Sequence, residues 1–426
     1  MPRKDGDGRA TSAGTLIVGA SQAGLQLAVS LRQLGDTEPI VLVGEEPHAP
    51  YQRPPLSKEF LSGAAELDSL AFRAPSFYPD NGIELVSGER ITTLRPGLAV
   101  TASGRELPYG RLALTTGAGP RRLRVPGAEL AGVCYLRDHD DAAGLRGELA
   151  SASRVVVVGG GFIGLEAASV ARAAGLAVTV VEAADRLLGR AVAPLVSEFY
   201  ARAHRRRGVR VLLSTGVTAF EPSADGSRVS GVVLADGTVV PADLVLVGVG
   251  AVPRTELAEQ LGLECRGGIV VDASARTSDP SVVAAGDCTV QPHPLTGEGL
   301  VRIESVQNAV AQAGTAAATL LGRPAPAKAV PWFWSYQGDL RLQIAGLSTG
   351  HDATVVRGVP DDEHFSVLYY RDGRLVAVDA VNRPADYMAV RKALTQGATV
   401  PAGAAADADV PLKSLITEAR SAAPAA

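Results

Sequence analysis

Cysteine is scarce in this chain: Cys134, Cys265 and Cys288 are its only three, and none falls in a CxxC or any other close spacing. That excludes a disulfide framework and a cysteine-based metal site, and it leads us to expect a protein of the reducing cytoplasm with no bound metal. Aromatics are equally sparse at 4%, against 46% hydrophobic residues in 426. The interior is therefore aliphatic, and the length calls for two or three domains. No apolar run approaches the roughly 18–20 residues a membrane span needs. The opening "MPRKDGDGRATS" lacks the apolar stretch of a signal peptide. A formal net charge of −4 supplies no basic surplus for nucleic acid or an anionic membrane, so neither is expected as a partner.

What the chain has in abundance is glycine, 47 residues of it, and two stretches use it alike. "VVVVGGGFIG" (155–164) sets four β-branched residues before Gly159-x-Gly161-x-x-Gly164. Such a run suits a strand buried on both faces of a parallel sheet. In the turn, the first glycine bends the chain, the second lets a pyrophosphate approach the backbone, and the third lets the next helix pack on the strand. A helix starting near Phe162 and Ile163 then offers free N–H groups and its positive dipole end to phosphate. The following strand, "AVTVVE", ends at Glu182. A carboxylate there accepts from both ribose hydroxyls and repels a 2′-phosphate, which favours NADH over NADPH. The first turn, "TLIVGASQAG" (15–24), is a degraded copy, Gly19-x-Ser21-x-x-Gly24, followed by "IVLVGEE" with Glu45 or Glu46 at the ribose position.

The two stretches head a duplication. "ASGRELPYGRL" (102–112) and "ADGTVVPADLV" (235–245) each read as a hairpin turn, a proline and a strand. The exits match too: Gly117-Ala-Gly-Pro-Arg121 and Gly250-Ala-Val-Pro-Arg254. Gly104 to Gly237 and Gly117 to Gly250 are both 133 positions apart. Two βαβ units, each with a β-hairpin excursion, are predicted.

A third element separates the two sites. "VVAAGDC" puts Gly286 and Asp287 at the end of a strand, just upstream of an amphipathic helix beginning near Val306. A carboxylate there suits the ribityl chain of FAD, which NAD lacks, and the helix N-terminus suits the charge of a reduced flavin. An Asp in a turn is also an ordinary turn residue. From residue 326 the texture changes, with both tryptophans and period-two strands in "RLQIAGL", "HFSVLYY" and "RLVAVDAV", so an α+β domain is expected there. The Ala-rich "ATVPAGAAADADV" is expected to be mobile before a short last helix, "PLKSLITEAR", and the run "HRRRGVR" (204–210) to cap a helix C-terminus.

Together with these turns, "RPPLSKEFL" (53–61), "RIESVQNA" (302–309), "PWFWSYQ" (331–337), "GLSTGHD" (346–352) and "VDAVNRP" (378–384) resemble the FAD-containing, NADH-dependent ferredoxin reductases of the glutathione reductase-like flavoproteins, over about residues 14 to 415. The resemblance implies an α/β fold of two Rossmann-like dinucleotide-binding domains plus an α+β C-terminal domain. It implies a discontinuous FAD domain at 14–120 and 250–325, an NAD domain at 121–249, a C-terminal interface domain at 326–415, and mobile tails at 1–13 and 416–426. FAD is then expected against Gly19, Ala20, Ser21, Ala23, Gly24, Glu45, Arg53, Lys58, Val86, Thr116, Gly117, Arg137, Gly286, Asp287, Glu304, Val306 and Trp334. NADH is expected against Gly159, Gly161, Phe162, Ile163, Gly164, Glu182, Arg190 and Gly250. Lys58 near the flavin and Glu166, paired with it and orienting the nicotinamide, are the expected catalytic residues. Ser21 departs from the family's second glycine. The implied partner is a 2Fe–2S ferredoxin supplying a haem monooxygenase or a Rieske-type oxygenase, with the reductase a monomer or weak homodimer.

Two other readings stay open. An NADH oxidase or disulfide reductase needs a cysteine close to the flavin, and residues 50–62 contain none. Cys288 is more simply a small buried residue. A flavoprotein resembling apoptosis-inducing factor, sensing NADH for a partner, shares the same motifs.

Overall fold

A computed structural model describes residues 13–418 apart from Leu295 and Lys328. The expected tails lie almost wholly outside the described residues. Contacts divide the chain into two units, one of residues 1–52, 67–119 and 251–329, the other of 53–66, 120–250 and 330–426.

The first unit is built on a five-stranded parallel sheet in the order Val282–Ala284, Arg111–Leu114, Thr15–Val18, Ile40–Val43, Ile83–Val86. All four residues of Thr15–Val18 are buried, as an aliphatic strand covered on both faces requires. Helices Gln22–Gln33 and Val306–Leu320 pack together on one face through Leu27, Ala28, Leu31, Ala313, Ala316 and Ala317. Strands Ile91–Arg95, Leu98–Thr101 and Glu106–Pro108 form a three-stranded antiparallel excursion.

The second unit repeats this plan. Its parallel sheet runs Arg210–Leu212, Ala177–Val181, Arg154–Val158, Leu244–Val247, Val133–Cys134, and its excursion is Val217–Pro222, Val229–Leu234, Val239–Pro241. The repeated order and the hairpins at Ser103-Gly104 and Asp236-Gly237 are the duplication seen as a 133-residue offset. In each sheet the fifth strand follows the exit of the other half: Val133–Cys134 comes after Gly117, and Val282–Ala284 after Gly250. Glycine is required at both exits, where φ is +66 at Gly117 and +113 at Gly250.

The second unit also carries a five-stranded antiparallel sheet, ordered Trp332–Gln337, Leu340–Gly346, Arg374–Val381, His364–Arg371, Ala353–Val359. The period-two pattern located its strands, but His364–Arg371 and Arg374–Val381 are buried along nearly their whole length. Helix Pro384–Thr395 and Leu412 cover one face. Helix Pro194–Arg206 covers the other, with Phe199 and Phe365 rings 4.9 Å apart. Serines, tyrosines and an aspartate therefore lie inside, where alternation predicted a wet face.

Two further expectations need correction. The Ala-rich segment is held, because the buried Arg357 donates to the carbonyls of Ala405 (3.2 Å), Ala408 (3.3 Å), Val410 (2.7 Å) and Asp407, and pairs with Asp386 at 3.2 Å. The predicted last helix is a single turn, Leu412–Ser414, and then Thr417–Glu418 pair as a short strand with Ala398–Thr399. Within "HRRRGVR", the helix ends at Arg206 as expected, but the arginines also bond inward. Arg207 meets Asp339 and Glu363 at 2.9 and 2.7 Å, and Arg206 meets Glu363 at 2.8 Å.

Candidate functional site

The two glycine turns show by their sterics what each position does. Gly159 has φ +109, and a Cβ there would stand 2.4 Å from the carbonyl oxygen of Gly248. At Gly164 a Cβ would stand 2.4 Å from the carbonyl oxygen of Gly159, because helix Phe162–Ala173 rises directly against the turn. Gly161, between them, is extended (φ −82, ψ 178) with nothing within 4 Å of the Cβ position. Gly161 is therefore not required by the fold, and the open space it leaves lies at the N-terminus of a twelve-residue helix. That is the cradle a pyrophosphate fits.

The first turn repeats this geometry. A Cβ on Gly19 (φ +115) would fall 2.1 Å from the oxygen of Thr115, and one on Gly24 1.9 Å from the oxygen of Gly19. Ser21, at the middle position, is extended (φ −127, ψ −152) and precedes helix Gln22–Gln33, so the serine is accommodated without backbone strain. Ala20 lies against Gly44, Ala23 against Gly286, and Val86 ends the edge strand. Gly286 donates its N–H to Gln312 at 2.8 Å, and Asp287 follows, half-buried, in the same turn. Thr116 donates to the carbonyl of Arg254 at 2.7 Å. Helix Val306–Leu320 is capped by Ser305, which accepts from the N–H of Asn308, and Glu304 pairs with Arg302 at 2.9 Å. Glu45 is engaged by Arg254, and Glu46 accepts from the Tyr51 hydroxyl at 2.5 Å.

In the second unit, Glu182 closes strand Ala177–Val181 and turns back on the glycine turn. One oxygen accepts from the N–H of Gly160 at 2.6 Å, the other from that of Ala184 at 2.7 Å. Its remaining lone pairs stay available to ribose hydroxyls. An Arg190 guanidinium nitrogen lies 3.6 Å from the Cβ position of Gly250. Phe162 meets Phe333 with ring centroids 4.5 Å apart, and Ile163 is 46% exposed at the start of its helix. Arg53 donates to the carbonyl of Arg137 at 2.7 Å, and Trp334 stacks obliquely on Trp332 at 5.4 Å. Arg53, Lys58, Arg137 and Trp334 all belong to this unit rather than to that of the first glycine turn.

Lys58 and Glu166 form a buried ion pair, Nζ to Oε2 at 2.7 Å, with side chains 13% and 4% exposed. Ser57 donates to the same carboxylate oxygen at 2.5 Å, and Ser335 donates to Oε1 at 2.7 Å. A carboxylate this buried is tolerable because every face of it meets a donor. Ser57 and Ser335 lie inside "RPPLSKEFL" and "PWFWSYQ" but are not among the expected site residues. Strand alternation could have found Ser335: if Trp334 points one way, its neighbour points the other.

All three cysteines are free thiols. Burial pushes Cys134 and Cys288 up to about 11 and raises Cys265 as well, so none is a ready thiolate. Among the described residues no helix is long and apolar enough to cross a membrane.

Comparison with known proteins agrees with these features. Residues 14–313 match the pyridine nucleotide-disulphide oxidoreductase family and residues 332–416 the reductase C-terminal family. The chain is 45% identical over 402 residues to the 5,5'-dehydrodivanillate O-demethylase ferredoxin reductase subunit of a Sphingobium species, covering 94% of this chain and 97% of that one. It is 46% identical over 400 residues to rhodocoxin reductase of Rhodococcus erythropolis, covering 93% of each. Among solved structures, the reductase of the covalent putidaredoxin reductase–putidaredoxin complex superposes with a TM-score of 0.90 at 40% identity, over 94% of this chain and 97% of that one. With the expected glutathione reductase-like α/β fold, the chain belongs to the pyridine nucleotide-disulphide oxidoreductase family, as a ferredoxin reductase-type flavoenzyme that uses FAD and NAD(H).

Proposed function

We propose that this chain carries electrons from NADH to a 2Fe–2S ferredoxin, in the cytoplasm, and that the ferredoxin supplies a haem monooxygenase or a Rieske-type oxygenase. In this reading residues 14–120 and 250–325 serve FAD, 121–249 serve NADH, and 326–415 form the interface domain. FAD, when bound, supplies the chemistry that takes a hydride from NADH and releases two electrons singly.

The chain's own residues bind and position. The amides of the Gly159–Gly164 turn hold the NADH pyrophosphate in the space left open at Gly161. Glu182, held by the N–H groups of Gly160 and Ala184, accepts the ribose hydroxyls and repels a 2′-phosphate. Glu166 orients the nicotinamide, and Lys58 supplies a fixed positive charge. The hydride step then needs no acid or base, only placement. Gly19, Ser21 and Gly24 hold the FAD pyrophosphate, with Asp287 for its ribityl chain.

The observation that carries the proposal is the Glu166 carboxylate on the helix that opens the second turn, bonded by three donors, Ser57, Lys58 and Ser335, with no cysteine among them. A disulfide-handling enzyme needs a thiolate there. The test is NADH-driven reduction of cytochrome c. Reduction that requires an added 2Fe–2S ferredoxin supports the proposal. Electron flow only to oxygen or to a disulfide refutes it, as does slow flavin reduction with a long-lived charge-transfer complex, which marks a sensor.

A further inference from the structure

The Glu166 carboxylate sits at the end of a longer chain of hydrogen bonds that the reaction, as described, does not use. Ser335 Oγ donates to Glu166 Oε1 at 2.7 Å. Ser335 has only one hydroxyl proton, so its remaining capacity is to accept, and Gln337 Nε2 donates to it at 3.3 Å. With its amide nitrogen so committed, Gln337 presents its oxygen to His204 Nε2 at 2.7 Å. An amide oxygen can only accept, so the proton of His204 sits on Nε2. Burial holds His204 below the ordinary histidine range, and so does the neighbouring Arg207 charge, against the opposing effect of the Gln337 bond. A neutral imidazole with its proton on Nε2 meets that requirement.

Every link is buried: His204 is 1% exposed, Gln337 and Ser335 are each 0%, and Glu166 is 4%. The four come from three separate elements, helix Pro194–Arg206, strand Trp332–Gln337 and helix Phe162–Ala173. Ser335 and Gln337 are two apart in the strand and so share one face, together with Phe333, whose ring meets Phe162 beside the second glycine turn. Trp332 and Tyr336, on the opposite face, are covered by Arg391 and Arg341. The donors all point one way. Ser57 and Lys58 close the far side of the carboxylate.

We propose that His204, Gln337 and Ser335 are positioning residues: a one-way chain of donors that fixes the rotation of the Glu166 carboxylate, leaving Oε2 to Lys58 and Ser57. The inference rests on the reading above that Glu166 acts in the NADH step. Without the chain, Oε1 loses its donor and the carboxylate is free to turn away from Lys58. The reductase C-terminal segment thereby takes part in hydride transfer, since it supplies two of the three links.

The test is anaerobic stopped-flow reduction of the FAD-loaded full chain by NADH, in wild type and in Ser335→Ala, Gln337→Met, Glu166→Gln and Glu166→Gln/Ser335→Ala. Thermal stability and FAD content are measured alongside. We expect Ser335→Ala to lower the limiting reduction rate by about tenfold, roughly the loss of one hydrogen bond to a charged group, and Gln337→Met, which removes a neutral bond to the Ser335 hydroxyl, to lower it by about two- to tenfold. Ser335→Ala should add nothing once Glu166 is glutamine, because it acts through that carboxylate. Glu166→Gln slow but both relay variants at wild-type rate overturns this inference and leaves the function standing. Rates that fall only in proportion to lost FAD or lost stability, or that multiply in the double variant, overturn it as well. A wild-type rate in Glu166→Gln refutes instead the reading on which the inference is built.

Discussion

Two glycines three residues apart in the second turn are predicted to fail in opposite ways when changed to alanine. In Gly164→Ala the new methyl lands 2.4 Å from the carbonyl oxygen of Gly159 and 3.1 Å from a Val157 methyl. Neither is the free end of a flexible chain, so the helix must lift off the strand, at a cost of roughly 1–3 kcal/mol. In Gly161→Ala the methyl meets no protein atom within 4 Å, and the backbone is already extended. The unfolded chain loses freedom worth about 0.4–1 kcal/mol, which offsets the slightly poorer helix cap, so stability should barely change. The methyl instead occupies the phosphate cradle. Displacing the pyrophosphate from one charge-assisted N–H costs about 1.5–3 kcal/mol, or roughly ten- to a hundredfold in affinity. Thermal melts of the two variants, with KM for NADH, separate these effects. Gly164→Ala should melt lower, and Gly161→Ala should melt like wild type with a raised KM. Equal loss of stability in both, or an unchanged KM in Gly161→Ala, would refute the reasoning.

Other predictions follow from the same geometry. Glu182→Ala should erode the preference for NADH over NADPH, read as the ratio of kcat/KM values, and an unchanged ratio would remove Glu182 from the ribose site. Lys58→Ala should slow flavin reduction by roughly ten- to a hundredfold with FAD retained, measured by stopped flow and by flavin content. Arg357→Met leaves Asp386 with Arg383 (2.6 Å) as its remaining cation and strips four carbonyls of this donor, and should cost about 1.5–3 kcal/mol, with protease cutting opening between residues 400 and 411. Arg207 and Arg206 hold the Glu363 carboxyl down at about 2, from an ordinary value near 4.5. A depressed carboxyl contributes stability above its unfolded value and loses it as pH falls towards the folded one. Stability should therefore drop between about pH 4.5 and 2 by less in Glu363→Gln than in wild type, as acid-unfolding curves would show.

Local rules made much of this fold legible. The two turns, the strands before them and the helices after them follow from β-branched runs and glycine spacing, and the 133-residue offset anticipated two sheets with the same strand order. Long-range polar bonding had no such signature. A single arginine, Arg357, gathers four carbonyls of a segment whose alanine-rich composition reads as loose. The arginines of 204–210 look like helix-end charges, yet their partners Asp339 and Glu363 lie more than a hundred positions away. The strands of 364–381 are buried on two faces because a helix from another part of the chain covers the second, which periodicity cannot report. Within the candidate site the ion pair of Lys58 and Glu166 is implied by family resemblance, while Ser57, Ser335, Gln337 and His204 are brought to it only by the fold. Serine and glutamine carry no sequence mark of being buried donors. Alternation around Trp334 was the one clue, and it marks the face rather than the partner.

The central claim is that one turn serves FAD and the other NADH. Anaerobic titration of the purified protein with NADH, followed in the visible spectrum, tests it most directly. A flavin spectrum that bleaches with one equivalent of NADH per flavin is the predicted result. A protein that binds no flavin, or a flavin that NADH leaves oxidised, would contradict the account.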